Sequence, residues 1–348
     1  ANGHVYADTP TGAYSWGTLS ARSTTSTGTT YTWTPPSSFT GDVLMVAGGG
    51  AGAGQGYYSQ GGGGAGGLLY HTNQTISGEK TIVVGNGGIG RINIYGNDGN
   101  DTSFTGLTTV IGGGGGGSYS GAYGTAYING RPGGSGGGGG YRGSGGSGTA
   151  GPPRQGYNGA NSWAGSEGGG GGGGGAGGAG NIATGGIGVD FSTQYGTKYG
   201  DNGWFASGGG GTSRNAFGSV SQGGGSSGNN NPAQKHTGGG GGGTFLSQSP
   251  GNDGGSGIVL ISDVPGASLT PSLTYDGYNK LTVAGDLDQT LYKDSNAWAL
   301  GTASSVYIAD PGEYTYFTRD AATAFLANVT VGAISQHPTD VAPSLAYD

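Results

Sequence analysis

The chain has 348 residues, of which 91 are glycine and none is cysteine, and only 9 % are charged; ordinary soluble domains carry about 7 % glycine and about 25 % charged residues. A disulfide framework, a cysteine-ligated zinc site and a thiol nucleophile are therefore excluded, and the longest apolar stretch, about five residues at 43–47, is too short for a membrane-spanning helix. A net charge of −7 with no basic run argues against nucleic acid as a partner.

Composition shifts once, near residue 264. Six glycines lie in 265–348 and the other 85 lie before them. The turn-forming sequence Asp263-Val264-Pro265-Gly266 marks the change. We read an N-terminal strand or arm over 1–30, a glycine-rich domain over 31–264 and a β-sandwich over 265–342. Residues 343–348 read as the start of a next repeat or as an inter-subunit strand.

Within 31–264 the glycine runs are bracketed by aliphatic segments: Val43–Val46, Leu68-Leu69, Ile82-Val83-Val84, Val110-Ile111 and Ile258–Ile261. Short β-branched or aliphatic runs ended by glycine read as buried strands. The chain also has 21 Tyr, 8 Phe and 5 Trp, whereas disordered linkers are poor in aromatics. An ordered polyglycine run needs a conformation that exploits the missing side chain. Polyproline-II geometry, with three residues per turn and no internal hydrogen bonds, does so when several chains lie side by side and bond to one another. The runs 61–67, 112–117, 133–140, 168–180, 208–211 and 238–243 are thus expected to stack. The expected fold class is all-β, with strands around stacked polyglycine-II helices. Ordering glycine is entropically expensive, so the stack should be all or nothing and Gly171→Val poorly tolerated.

The segments between the runs are long and rich in Tyr, Trp and Arg among Ser, Gly and Asn, the composition of a binding surface with rigid aromatic anchors. Candidate receptor-binding residues are Tyr123, Tyr127, Trp163, Tyr195, Tyr199 and Trp204. The same aromatics could instead cover a core that lacks side chains. Asn97-Asp98-Gly99-Asn100-Asp101 concentrates oxygen ligands, so Ca²⁺ at Asp98 and Asp101 is one reading and a turn between strands is the favoured one.

In 265–348, strands are expected at Lys280–Val283, Gln289–Tyr292, Ala297–Leu300, Val306–Ile308 and Glu313–Thr318, with one short helical piece at Asp320–Leu326. This spacing suggests an immunoglobulin-like sandwich. Pro271-Ser272-Leu273-Thr274-Tyr275-Asp276 recurs as Pro343-Ser344-Leu345-Ala346-Tyr347-Asp348, with five of six positions identical. Leu273, Tyr275, Leu345 and Tyr347 are therefore candidate assembly residues, in a tandem array or between subunits.

Tyr31-Thr32-Trp33-Thr34-Pro35-Pro36, then 43–50, 61–67, 81–88, 101–106 with 112–117, and 254–261, follow the order of segments in the glycine-rich domain of phage tail fibres and related virion proteins, which residues 31–263 resemble. Polyglycine-II cores also occur in the tip adhesins of T-even-type phages, where they carry variable loops that touch a bacterial surface receptor. This chain departs from that pattern in carrying a further β domain. The tail is similar to immunoglobulin-like repeats of phage appendage proteins. The resemblance implies an extracellular, self-associating fibre subunit that can engage a host cell-surface protein or glycan. A cellular extracellular filament subunit and a dedicated adhesin are the alternatives. No enzymatic activity, cofactor, metal or membrane insertion is expected. Gly133-Gly134-Ser135-Gly136-Gly137 fits a nucleophile-elbow pattern only as glycine runs do by chance, no Gly-Lys dipeptide offers a phosphate loop, and the four histidines are scattered.

Overall fold

The computed structural model describes residues 4–7, 18–35, 37–54, 59–119, 125–163, 169–212, 217–226, 231–244 and 249–263, followed by the strands at 272–275, 280–284, 290–294, 297–299, 306–310, 313–317 and 344–346. It divides into two compact units: Ala1–Asp8 with Trp16–Asp263, and Thr9–Ser15 with Val264–Asp348. The division after Asp263 falls where the composition changes.

The first unit carries two four-stranded sheets. Strands β1 (His4–Ala7), β2 (Thr18–Thr24), β3 (Gly28–Thr34) and β4 (Phe39–Val46) are followed by β5 (Ala53–Gly54), β6 (Leu68–Ile76), β7 (Lys80–Gly85), β8 (Arg91–Ile92) and β9 (Ser103–Phe104). Then come β10 (Val189–Asp190), the one-turn helix α1 (Ser192–Tyr195), β11 (Trp204–Phe205) and β12 (Ile258–Asp263). One sheet has the order β1-β12-β4-β6 and the other β2-β3-β7-β9. The described residues of 1–30, read as an N-terminal strand or arm, hold β1 in the first sheet and β2 with the start of β3 in the second.

Alternation along β4 sends Val43 and Met45 to one face and Leu44 and Val46 to the other. Val43, Met45, Leu69, Val259 and Ile261 pack with Tyr31, Trp33, Ile82, Val84 and Phe104 of the second sheet. Leu44, Val46, Leu68, Ile258 and Leu260 pack with Phe191, Tyr195, Tyr199 and Phe205. The β4–β12 pair is therefore buried on both faces. This is why both strands read as unbroken apolar runs instead of alternating with polar residues.

The glycine runs form a hydrogen-bonded array with a period of three. Along residues 61–67, the N–H groups of Gly61, Gly64 and Gly67 donate to the carbonyls of Gly117, Gly114 and Ile111 at 2.9, 2.8 and 2.8 Å. Those of Gly62 and Ala65 donate to Gly171 and Gly174 at 3.0 and 2.9 Å, and those of Gly63 and Gly66 to Gly241 and Gly238 at 2.7 and 2.9 Å. Three successive residues thus address three different segments, which is the signature of three residues per turn. The carbonyls of the run accept from three more segments. Ala53, Gly50 and Ala47 donate to Gly61, Gly64 and Gly67; Gly138 and Ser135 donate to Gly62 and Ala65; Gly209 donates to Gly63. Residues 61–67 therefore form an axial strand with six hydrogen-bonded neighbours, some parallel and some antiparallel. At ~3.1 Å per residue the strand spans roughly 20 Å.

Along 61–67, 112–117 and 133–140 glycine is needed for space and not for backbone freedom. Positive-φ glycines among the described residues are Gly78, Gly106, Gly151, Gly196, Gly200, Gly203, Gly223, Gly224 and Gly238, none of them within 61–67, 112–117 or 133–140. A Cβ on Gly63 would lie 2.1 Å from the Gly50 carbonyl oxygen, and one on Gly171 would lie 1.9 Å from that of Ala160. In glycine a hydrogen points at that oxygen, a weak C–H···O contact that supplements the N–H bonds. Gly171→Val is thus expected to lower the unfolding midpoint markedly, measured by differential scanning calorimetry.

The strands of the second unit are β13 (Ser272–Tyr275), β14 (Lys280–Ala284), β15 (Thr290–Asp294), β16 (Ala297–Ala299), β17 (Val306–Asp310), β18 (Glu313–Phe317) and β19 (Ser344–Ala346). Of these, β14 to β18 fall on the expected strand positions and β13 is not among them. β19, in the segment read as the start of a next repeat or an inter-subunit strand, pairs with β16 of its own chain. They form a five-stranded sheet of order β13-β14-β15-β16-β19 and a β17-β18 hairpin. The hairpin lies against β15 and β16. The helical piece expected at 320–326 lies outside the described residues.

Candidate functional site

At one end the array runs into the β1-β12-β4-β6 sheet, because β4 leads into 47–53, residues 61–67 lead into β6, and 251–257 lead into β12. The opposite end gathers the connecting segments. There Gly61 meets Gly117, Gly62 meets Gly171 and Gly138, Gly140 meets Ile128, and Gly170 meets Thr212. The polar backbone of these loops starts from fixed points, since each loop leaves a strand of the array.

Two aromatic–arginine clusters lie at this end. Tyr95 and Tyr127 meet edge to face with centroids 5.2 Å apart, and the Arg131 guanidinium lies 4.5 Å from the Tyr95 ring. Tyr119 and Tyr141 meet in the same way at 5.5 Å, with Arg142 5.1 Å from the Tyr141 ring. Arg142 is exposed and has φ of 61°, a left-handed conformation rare for a side-chain-bearing residue. Trp163 is 57 % exposed, and its backbone N–H donates to the Gly169 carbonyl at 2.8 Å. Stacked rings with cationic edges supply flat apolar area and directed hydrogen-bond donors, which suit both a sugar face and a protein surface.

The sequence-predicted site residues separate into two groups. Tyr127 and Trp163 lie at the loop-bearing end, whereas Tyr123 is outside the described residues. Tyr195 and Tyr199 are 3 % and 8 % exposed. They cover the sheet face formed by Leu44, Val46 and Leu260, and the Tyr195 hydroxyl donates to the Asp42 carbonyl at 3.4 Å. An exposed receptor contact is therefore the wrong role for these two: a sheet flanked by glycine needs large side chains from elsewhere to exclude water. Trp204 is half-buried in β11, paired with β10 on the same side of the fold. Of the assembly candidates, Leu273 and Tyr275 lie in β13 and Leu345 in β19; Tyr347 lies outside the described residues.

Residues 97–101 cap the array. Asp101 Oδ1 accepts the Gly112 N–H at 2.7 Å, and Asp98 Oδ1 accepts the Gly115 N–H at 2.9 Å. Asp98 also pairs with Arg131, Nη2 to Oδ2 at 2.6 Å and Nε to Oδ1 at 2.7 Å, and this hydrogen bonding raises the Arg131 pKa. Both carboxylates are thus engaged by backbone or arginine donors, which fits the turn reading of this segment. Among the described residues, no group of three His, Asp or Glu side chains is placed to hold a metal. Asn158 and Asn161 serve the same purpose for Gly148 and Gly145, each at 2.9 Å. Sequence reading missed these caps and Tyr95. The available signal was the i, i+3 spacing of Asp98/Asp101 and Asn158/Asn161, which equals the helical repeat.

Asp98→Ala is expected to cost about 1–2 kcal/mol by leaving the Gly115 N–H without its acceptor. Asp98→Asn keeps an acceptor oxygen and loses only a half-exposed ion pair, a cost below about 1 kcal/mol. Urea unfolding of both variants checks the difference, and equal losses would remove the capping role.

His71, on β6, has a buried Nε2 with no hydrogen-bond partner among the described residues, and burial lowers its pKa. Below the ordinary histidine pKa of about 6.5 the unfolded chain then binds the proton more readily than the folded one. This contribution to stability is therefore present above that pH and is lost as the pH falls toward the lowered value. His71→Gln should flatten the pH dependence of the unfolding midpoint below the ordinary histidine pKa, and an unchanged slope would assign it to other groups.

The fold and its loop-bearing end define a glycine-rich β protein whose array displays connecting loops. Residues 24–262 match the glycine-rich domain family, and over this stretch, more than half of its length, the chain belongs to that family. No curated protein matches the chain.

Proposed function

We propose that this chain is a structural subunit of an extracellular fibre, of the kind found in phage tail fibres and virion appendages. In this reading the polyglycine array is a stiff body, the 265–342 unit is an immunoglobulin-like spacer or assembly module, and the chain self-associates. The observation that supports it best is the axial run 61–67 with six bonded neighbours, since such an array gives rigidity to residues that have nothing to pack. Purified chain at micromolar concentration is expected to form extended particles in negative-stain electron microscopy. Monodisperse compact monomers at all concentrations would contradict the fibre reading.

A recognition role for the loop-bearing end is supported by the clustering there of Tyr119, Tyr127, Tyr141, Arg142 and Trp163. The partner proposed is a host cell-surface protein or glycan. Trp163→Ala and Arg142→Ala together are expected to weaken binding to host cells at least about tenfold while leaving stability within about 0.5 kcal/mol. Unchanged binding would remove these residues from the contact surface.

A further inference from the structure

The described parts of the two hexapeptide copies, residues 272–275 and 344–346, form the two outer strands of one sheet among the described residues. β13, from the first copy, is one edge of the five-stranded sheet, and β19, from the second, is the other. The chain order gives no reason for this, since 72 residues separate the copies. We propose that copies of this chain join through these edges, β19 of one copy pairing antiparallel with β13 of the next. The inference deepens the fibre reading and rests on its claim of self-association.

Strand directions support the pairing. β13, β14, β15 and β16 alternate, and β19 runs parallel to β16. β13 and β19 therefore run in opposite directions. A second copy in the same orientation, displaced along the sheet, brings β19 beside β13 as an antiparallel pair. The two surfaces differ, so the contact is heterologous and leaves a free edge at each end of any oligomer. Exposed edges are normally guarded by proline, lysine or a bulge. Each strand follows a proline, Pro271 or Pro343, but within Ser272–Tyr275 and Ser344–Ala346 there is neither proline nor lysine, and their pairings to β14 and β16 run without a register shift. Among the described residues no strand pairs with the outer side of β13 or of β19, which leaves that side open to strand addition.

The hydrophobic pattern also selects a register. The two-residue alternation of a strand groups positions 273 and 275 of β13 and sets position 345 of β19 apart from 344 and 346. Pairing position 275 with 345 matches the apolar positions of the two sequences and sets 274 opposite 346; a slip by one residue would break that match.

The absence of cysteine makes this register directly testable. Full-length chains carrying only Thr274→Cys are mixed with chains carrying only Ala346→Cys under mild oxidation. Facing residues in an antiparallel pair lie ~4.5–5.5 Å apart between Cα atoms, within the ~4.4–6.8 Å span of a disulfide. The expected result is a disulfide-linked dimer at least tenfold more abundant than when Thr274→Cys chains are mixed with Ser219→Cys chains. Excess peptide of sequence 343–348 should also shift the sedimenting species toward monomer. Dimer no more abundant than in the control, together with no effect of peptide, overturns edge pairing. If the wild-type chain still sediments as oligomers in that case, the fibre reading stands and assembly uses another face; if it remains monomeric, both readings fall.

Discussion

Gly63→Ala should lower the thermal unfolding midpoint by roughly 6–12 °C, the shift expected for about 3 kcal/mol in a unit of this size. The added methyl would lie 2.1 Å from the Gly50 carbonyl oxygen and 2.6 Å from its carbon. Relief would require moving the 47–53 segment, which is bonded to the axial run through Ala47, Gly50 and Ala53 and to residues 97–100 through Gly48 and Ala51. A side chain in an ordinary core can rotate away, but a backbone carbonyl in such an array has no rotamer to change. Gly78→Asn is the matched control. Gly78 has φ of +65° and no atom within 4 Å of its Cβ position, and asparagine tolerates that conformation, so the loss should stay under about 1 kcal/mol. Calorimetry on the two variants checks the contrast. Equal, small shifts would mean that the axial run is not confined.

Phe205→Ala should destabilise the first unit by about 3–5 kcal/mol. Phe205 is fully buried and packs with Phe191, their rings 6.4 Å apart, within the cluster that includes Leu44, Leu260 and Tyr195. The backbone on its glycine-rich side has no side chains that could move into a vacancy, so the cavity would remain and the cost should fall near the upper end of that range. Trp163→Ala, at an exposed ring of larger size, should change stability by less than about 0.5 kcal/mol. Urea unfolding distinguishes the two. A small loss for Phe205→Ala would mean that the aromatic layer is not what seals the sheet.

The strands were largely legible in the sequence because their signal is local. β4, β7, β12 and, in the second unit, β14 to β18 fall on the segments expected to form them. The conformation of the glycine runs was legible as well, because only chains without side chains can pack at this spacing. Which run lies beside which was not. Glycines are identical, so a run of them encodes no register; register comes from the strands that lead into it and from caps such as Asp98 and Asp101. The aromatic residues show a further limit. Tyr127 and Tyr195 both lie in segments that connect glycine runs, yet Tyr127 lies at the loop-bearing end and Tyr195 covers a sheet face. What separates them is the end of the array at which each segment leaves, and that depends on the parity of chain reversals and not on composition.

Hydrogen–deuterium exchange resolved to the peptides covering 61–67, 112–117, 133–140 and 169–175 tests the central claim most directly. Every bonded amide in these runs should be protected to nearly the same degree as those of β4 and β12, and all should lose protection together on unfolding. Exchange through the runs at the rate of an unstructured chain, with β4 and β12 still protected, would contradict the bonded array.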